Sequence, residues 1–351
     1  MATIAFPSLT LRKPVLLALI AAVACAFVAS LAVGSVTIPL DNVLRVLTGG
    51  HADKDTWQTI VLTFRLPKAI TALLAGAALG VAGLHMQTLF RNPLADPFVL
   101  GISSGASLGV ALVVLGTGAA TAAVFGRATA LGDLGLVTAA SLGAGAVFAV
   151  IMAIARRVQS AVTLLVLGLM IGYATSAAVS LLIYFSAPQQ IAAFAAWSFG
   201  SFGGVTWQQL RILLPVLGLA LIGGLILSKP LNALMLGEDY ARSMGLNVRV
   251  ARWWVTAVAS VLAGAVTAFC GPIGFIGVAV PHLCRALFRS SDHRVLMPAV
   301  MLTGAFLALL FDLIAQMPGA QFTLPLNVVT SFVGAPLIVW IIVRRRSFTH
   351  V

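Results

Sequence analysis

Of 351 residues only one is glutamate, Glu238, and it lies in the polar stretch LNALMLGEDYARSMGLNVRVAR (residues 231–252). An acidic pair, Glu238-Asp239, followed by Arg242, Arg249 and Arg252, has no use in an apolar core or against lipid, where unpaired charge is costly to bury. The pattern suits a surface that docks on another protein. A second motif, GISSG (residues 101–105), matches the G-x-S-x-G of serine hydrolases. That chemistry needs a base beside the serine. His85 and His282 lie in apolar segments and nothing in the sequence ties either to Ser103, so the expectation is a small-residue turn rather than a catalytic site. No G-x-x-x-x-G-K-[ST] occurs, so no nucleotide is held through such a loop. Cys25, Cys270 and Cys284 show no metal-binding or redox spacing. Asp96, Asp133 and Asp312 fall near the ends of apolar runs, which leaves no relay of carboxylates for an ion-coupled carrier. If the chain moves a solute, its energy comes from a partner.

The elements that must position these residues are membrane helices. Charged residues make up 9% of the chain and hydrophobic ones 60%, with a mean hydropathy of +1.08, against roughly 25% charge in soluble domains. Continuous apolar runs, not the alternating ones of a barrel, predict an all-α polytopic protein. About ten crossings are expected, at 14–34, 69–88, 97–116, 134–154, 162–185, 209–228, 253–270, 274–288, 295–316 and 326–343. Arg12-Lys13 precede the first run without a clear cleavage site, so that run is expected to stay as a helix. The eighth is short and carries His282 and Arg285, so a partly re-entrant segment is its alternative. The external segments are then expected at 35–68, 117–133, 186–208, the Gly271-Pro272 turn and 317–325, with QQIAAFAAW in the third forming a short helix near the membrane surface.

The net charge of +12 is distributed by topology. With the N-terminus inside, 15 of the 21 basic residues fall in cytoplasmic segments, the bias of a bacterial inner-membrane protein with both termini cytoplasmic. Nucleic acid is therefore not an expected partner; membrane lipid is. Gly76, Gly80 and Gly83, in AGAALGVAG, put small residues on one face of the second helix, where backbones can approach closely. Within 231–252, two short helices hinge near Gly237. Leu231, Leu234 and Met235 form one apolar patch and Ala241, Met244 and Leu246 another, with Glu238-Asp239 at the second helix's positive end.

Several blocks carry a family resemblance. RLPKAITALLAGAALGVAGLHMQTLFRNPLADPFVLGISSGASLG (residues 65–109) resembles the signature of the bacterial permeases that import iron chelates, haem and cobalamin, the type II ABC importers. LGEDYARSMGLNV (236–248) resembles their ATPase-coupling segment, and GPIGFIGVAVPHLCRALF (271–288), DHR (292–294) and LPLNVVTSFVGAPLIVWIIVRRR (324–346) their C-terminal blocks. The resemblance implies one transmembrane domain over residues 1–351 with a coupling segment at 230–252. It also implies a homodimer, two cytoplasmic ATPase subunits that bind ATP and Mg, and a periplasmic substrate-binding protein; this chain itself is neither an enzyme nor a cofactor or metal binder. Leu236, Gly237, Glu238, Ala241 and Gly245 are then the ATPase contacts. Arg65 and Lys68 resemble the external basic pair that meets acids on the binding protein, with lysine at 68 departing from the arginine often found in relatives. Met86, Gln87, Ser103, Ser104, Gln159, Ser160 and Thr163 are candidates for the path and its inner gate. His85 is unusual for its helix and is expected to be packed rather than ligating. Ferric siderophore is the expected cargo, with haem or cobalamin the alternative within the family. A lone ion-coupled carrier is the alternative outside it.

Overall fold

The computed structural model describes residues 12–116, 132–155, 157–158, 160–317 and 323–346, and these residues form helices joined by turns. In chain order the helices are α1 (Arg12–Ala32), α2 (Leu40–Leu47), α3 (Asp55–Thr59), α4 (Leu66–Leu89), α5 (Ile102–Val114), α6 (Gly132–Ala155), α7 (Ala161–Tyr184) and α8 (Pro188–Ser198). There follow α9 (Trp207–Ile226), α10 (Ser228–Leu236), α11 (Glu238–Ser243), α12 (Val248–Cys270), α13 (Ile276–Phe288), α14 (His293–Ala315) and α15 (Leu326–Arg346). Each of the ten expected segments is helical. Among the described residues, seven helices are long and apolar enough to cross a bilayer, and three shorter apolar ones lie in α5, α13 and α15.

Three expectations need correction. The stretch 97–116 is not one helix. Pro97–Leu100 forms a 3-10 turn capped by Asp96, Gly101 takes φ 74, and α5 starts afresh at Ile102. The stretch 35–68 is not simply a connecting segment, because α3 runs through a π-helical turn (Ile60–Arg65) into α4 as one 35-residue helical run. The seventh crossing starts early: α12 opens at Val248, capped by the Asn247 side chain, inside the polar stretch. The thirteen residues of α13 rise about 20 Å, short of the roughly 30 Å of a hydrocarbon core, as do the thirteen of α5.

α4 is the buried axis. Every residue from Ala75 to Leu89 is buried, and α14, α12, α13 and α9 all pack on it. Lipid offers helices no hydrophobic drive to associate, so contact must come from close fit. Glycine supplies it here. A methyl group on Gly76 would collide with the Gly304 carbonyl and with Ala308 of α14, and one on Gly83 with the Gly277 carbonyl of α13. α5 and α6 meet in the same way through Gly105, Gly109 and Gly143. We expect Gly304→Leu to destabilise the bundle by about 3 kcal/mol or more, seen as a lower melting temperature in detergent. Gly145→Ala, where an added methyl meets nothing within 4 Å, should leave it unchanged.

Candidate functional site

One end of the bundle, called the lower end here, carries α10 and α11. α9 stops at Ile226, and Pro230 falls in the first turn of α10, where its missing N–H is not needed. The expected hinge is present: Gly237 takes φ 127 and ψ 147, a conformation closed to other residues, and a Cβ there would lie 2.9 Å from the Arg91 guanidinium. Gly245, at φ 84, turns the chain back toward α12. The apolar patches divide between two sides. Leu231, Leu234 and Ala241 face inward, Leu234 and Ala241 packing with Val248 and Ala251, whereas Met235, Leu236, Tyr240 and Met244 are exposed. Of the residues expected to meet a partner, Leu236 stands outside, Gly237 and Gly245 shape the turns, and Ala241 is fully buried.

The acidic pair divides too. The Asp239 side chain is 98% exposed and meets Arg242 at 2.8 Å. Glu238 turns back into the protein, where it pairs closely with Arg252 and meets Arg242 at 3.3 Å. Arg252 also donates to the Val158 carbonyl at 3.4 Å. Two residues on, the Ser160 hydroxyl accepts from the Thr163 N–H at 3.3 Å and caps α7. Ser160 and Glu238 line one cavity of about 520 Å³ together with Arg91, Leu236 and Tyr240. Thr163 is exposed on the first turn of α7, and Gln159 lies outside the described residues.

A second polar cluster holds α10. Asn232 donates to Asp292 at 2.7 Å and accepts from the His293 N–H at 2.8 Å, while the His293 ring lies between Asn232 and the Thr88 hydroxyl of α4, at 2.7 and 2.8 Å. Burial alone would raise the Asp292 carboxyl. Hydrogen bonds from Asn232 and the Arg294 N–H, with the charges of Arg294 and His293, hold it below the ordinary aspartate range. The sequence marks Arg252 and the DHR block at 292–294 but not these pairings, since Asn232, Thr88 and Glu238 lie at no local spacing from them.

The path candidates separate in the same way. Met86 is fully buried, and Gln87 donates to the Val278 carbonyl at 3.2 Å and accepts from Arg285 at 2.6 Å. Gln87 sits in the packing of α4 on α13 and Met86 is enclosed in the bundle, so neither stands on an open wall. Ser103 and Ser104 are partly exposed on the first turn of α5, with Ser104 facing Gly172 of α7. The GISSG motif thus opens a membrane helix and lacks a strand before it. His85 is buried with neither ring nitrogen hydrogen-bonded among the described residues, and His282 Nε2 donates to the Pro93 carbonyl at 2.7 Å.

At the opposite, upper end, Arg65 is 8% exposed and donates to the Leu31, Ala32 and Val36 carbonyls, closing the last turn of α1. Lys68 pairs with Asp312 at 3.0 Å, and Gln316 donates to the same carboxylate at 2.7 Å. In this conformation neither residue is presented as a free cation, although both border a cavity of about 430 Å³ with Phe64 and Gln316. Arg65→Gln should destabilise the isolated chain by about 3 kcal/mol, measured as thermal unfolding in detergent with no binding protein present. An unchanged midpoint would leave Arg65 with an external role only.

A polytopic helical bundle that mounts a two-helix knob at one end defines the permease subunit of an ABC importer, of the type II fold. The chain belongs to the FecCD transport family, whose profile matches residues 19–344. It is 39% identical to the vitamin B12 import system permease protein BtuC of Klebsiella pneumoniae, over 83% of this chain and 84% of that one. It is 37% identical to the hemin transport system permease protein HmuU of Yersinia pestis, over 90% and 93%. A solved structure assigned to the metal-chelate type of ABC transporter, in an inward-facing conformation, matches with a TM-score of 0.82 at 28% identity, covering 95% of this chain and 99% of that one.

Proposed function

We propose that this chain carries a bulky metal chelate across the bacterial inner membrane into the cytoplasm by alternating access, driven by ATP hydrolysis in a separate subunit. The observation that carries this reading is the exposed apolar knob of Leu236, Tyr240 and Met244 beside the exposed Asp239–Arg242 pair, on two short helices held from within by the Glu238–Arg252 pair. A helix pair of this kind seats in a groove of a partner. In this reading the knob is cytoplasmic, as are both termini, and ATP and Mg reside on two partner subunits docked there. A periplasmic binding protein delivers cargo at the upper end, where Arg65 and Lys68 border the cleft.

A second copy of the chain completes the path. In support, α7 and α15 expose large apolar side chains, among them Tyr173, Tyr184 and Phe332. The relatives named for vitamin B12 and hemin bring macrocyclic chelates forward as cargo, ahead of the ferric siderophore expected from the sequence. Selection among them rests with the binding protein.

The test is uptake into vesicles holding the chain with its ATPase and binding protein, offered cyanocobalamin, haemin and a ferric siderophore in turn. One of the three should enter in an ATP-dependent way. Gly237→Trp should lower that uptake about tenfold or more while leaving the amount of protein in the membrane unchanged. Entry without the ATPase subunit would replace this reading with that of an ion-coupled carrier, and undiminished uptake by Gly237→Trp would remove the knob from the mechanism.

A further inference from the structure

Arg252 stands in the first turns of α12 with its side chain 5% exposed, between α11 and the turn that precedes α7. The guanidinium reaches Glu238 on one side and the Val158 carbonyl on the other. Two segments far apart in sequence, the knob and the chain at Arg157-Val158, thus share one buried cation. We infer that Arg252 is a positioning residue that transmits movement of α11 to the start of α7. The inference rests on the coupling role proposed above for the knob.

The geometry favours transmission over simple fastening. A guanidinium is planar and holds its N–H donors in a rigid fork, so a carboxylate and a carbonyl bound at its edges keep a set separation. Pulling Glu238 away would strand a buried positive charge, which is costly, so the arginine follows its carboxylate. The Val158 carbonyl must then move or lose its donor. Ser160, which caps α7, is only two residues further on. There is also room to move. A cavity of about 420 Å³ bordered by Val158, Arg242 and Arg249 adjoins Arg252 on one side, and the cavity shared by Glu238 and Ser160 adjoins the knob on the other. Lysine could keep the charge at Glu238 but not the fork.

The test reads the start of α7 directly. Val162, exposed on its first turn, is replaced by cysteine in a Cys25→Ser background, Cys270 and Cys284 being buried. The chain is assembled with its ATPase partner in lipid, and the rate of maleimide labelling at position 162 is compared with and without a non-hydrolysable ATP analogue. With Arg252 present, nucleotide should change the rate about fivefold or more. In Arg252→Lys the change should vanish, while complex assembly and basal ATP hydrolysis persist. A change that survives in Arg252→Lys overturns the transmission role and leaves the coupling reading intact. No change even with Arg252 present overturns both. Should Arg252→Lys fail to fold, Arg252→Gln, which keeps an N–H donor for the Val158 carbonyl but removes the charge that faces Glu238, is read by the same outcomes.

Discussion

Helices in a bilayer gain nothing from leaving lipid for each other, so the closeness of α4 to α14 and α13 is the condition on which this architecture rests. Backbone meets backbone where Gly76 faces Gly304 and where Gly83 faces Gly277. Because that contact tolerates no added atoms, it sets the height and rotation of α4 as well as its position. The polar groups at both ends inherit this registration. Arg65 at one end reaches the last turn of α1, and Thr88 and Arg91 at the other reach His293 and the Leu234 carbonyl. A small slip of α4 would misplace every one of these partners.

The polar chemistry sits where the apolar bundle stops. At the lower end, hydrogen bonds and ion pairs are directed inward: Asn232 to Asp292 and His293, and Glu238 to Arg252. The outward face of the same two helices carries Leu236, Tyr240 and Met244 together with the exposed Asp239–Arg242 pair. This division makes physical sense. A charge already satisfied within the protein holds the knob in shape, and apolar side chains can then be buried against a partner without breaking any internal pairing.

Much of this could be read from the residues alone, and the reasons are local. Long apolar runs reveal helices because lipid demands them, and Gly237 between two short amphipathic pieces reveals the hinge because few other residues turn there. The lone glutamate marks the stretch that forms the two short helices, but not the direction of its own side chain. Its partner Arg252 lies fourteen residues on, and no helical period links the two. The break at Gly101 is legible in the small-residue motif GISSG but not in the apolar run 97–116, which reads as continuous. The aim of Arg65 was hidden, since whether a cation near a helix end turns toward water or toward carbonyls depends on what chain lies nearby. Here that chain is more than thirty residues earlier.

That distance bears on how the protein is made. The Ala32 carbonyl at the end of α1 is met early by the Ile38 N–H, but the Leu31 carbonyl has its donor only once residue 65 has been synthesised and brought alongside. Until then the first helix enters the bilayer with an open end. The opening stretch through α4 is therefore a unit of biogenesis: its pieces emerge from the ribosome in succession, but the earlier one is finished only by the later.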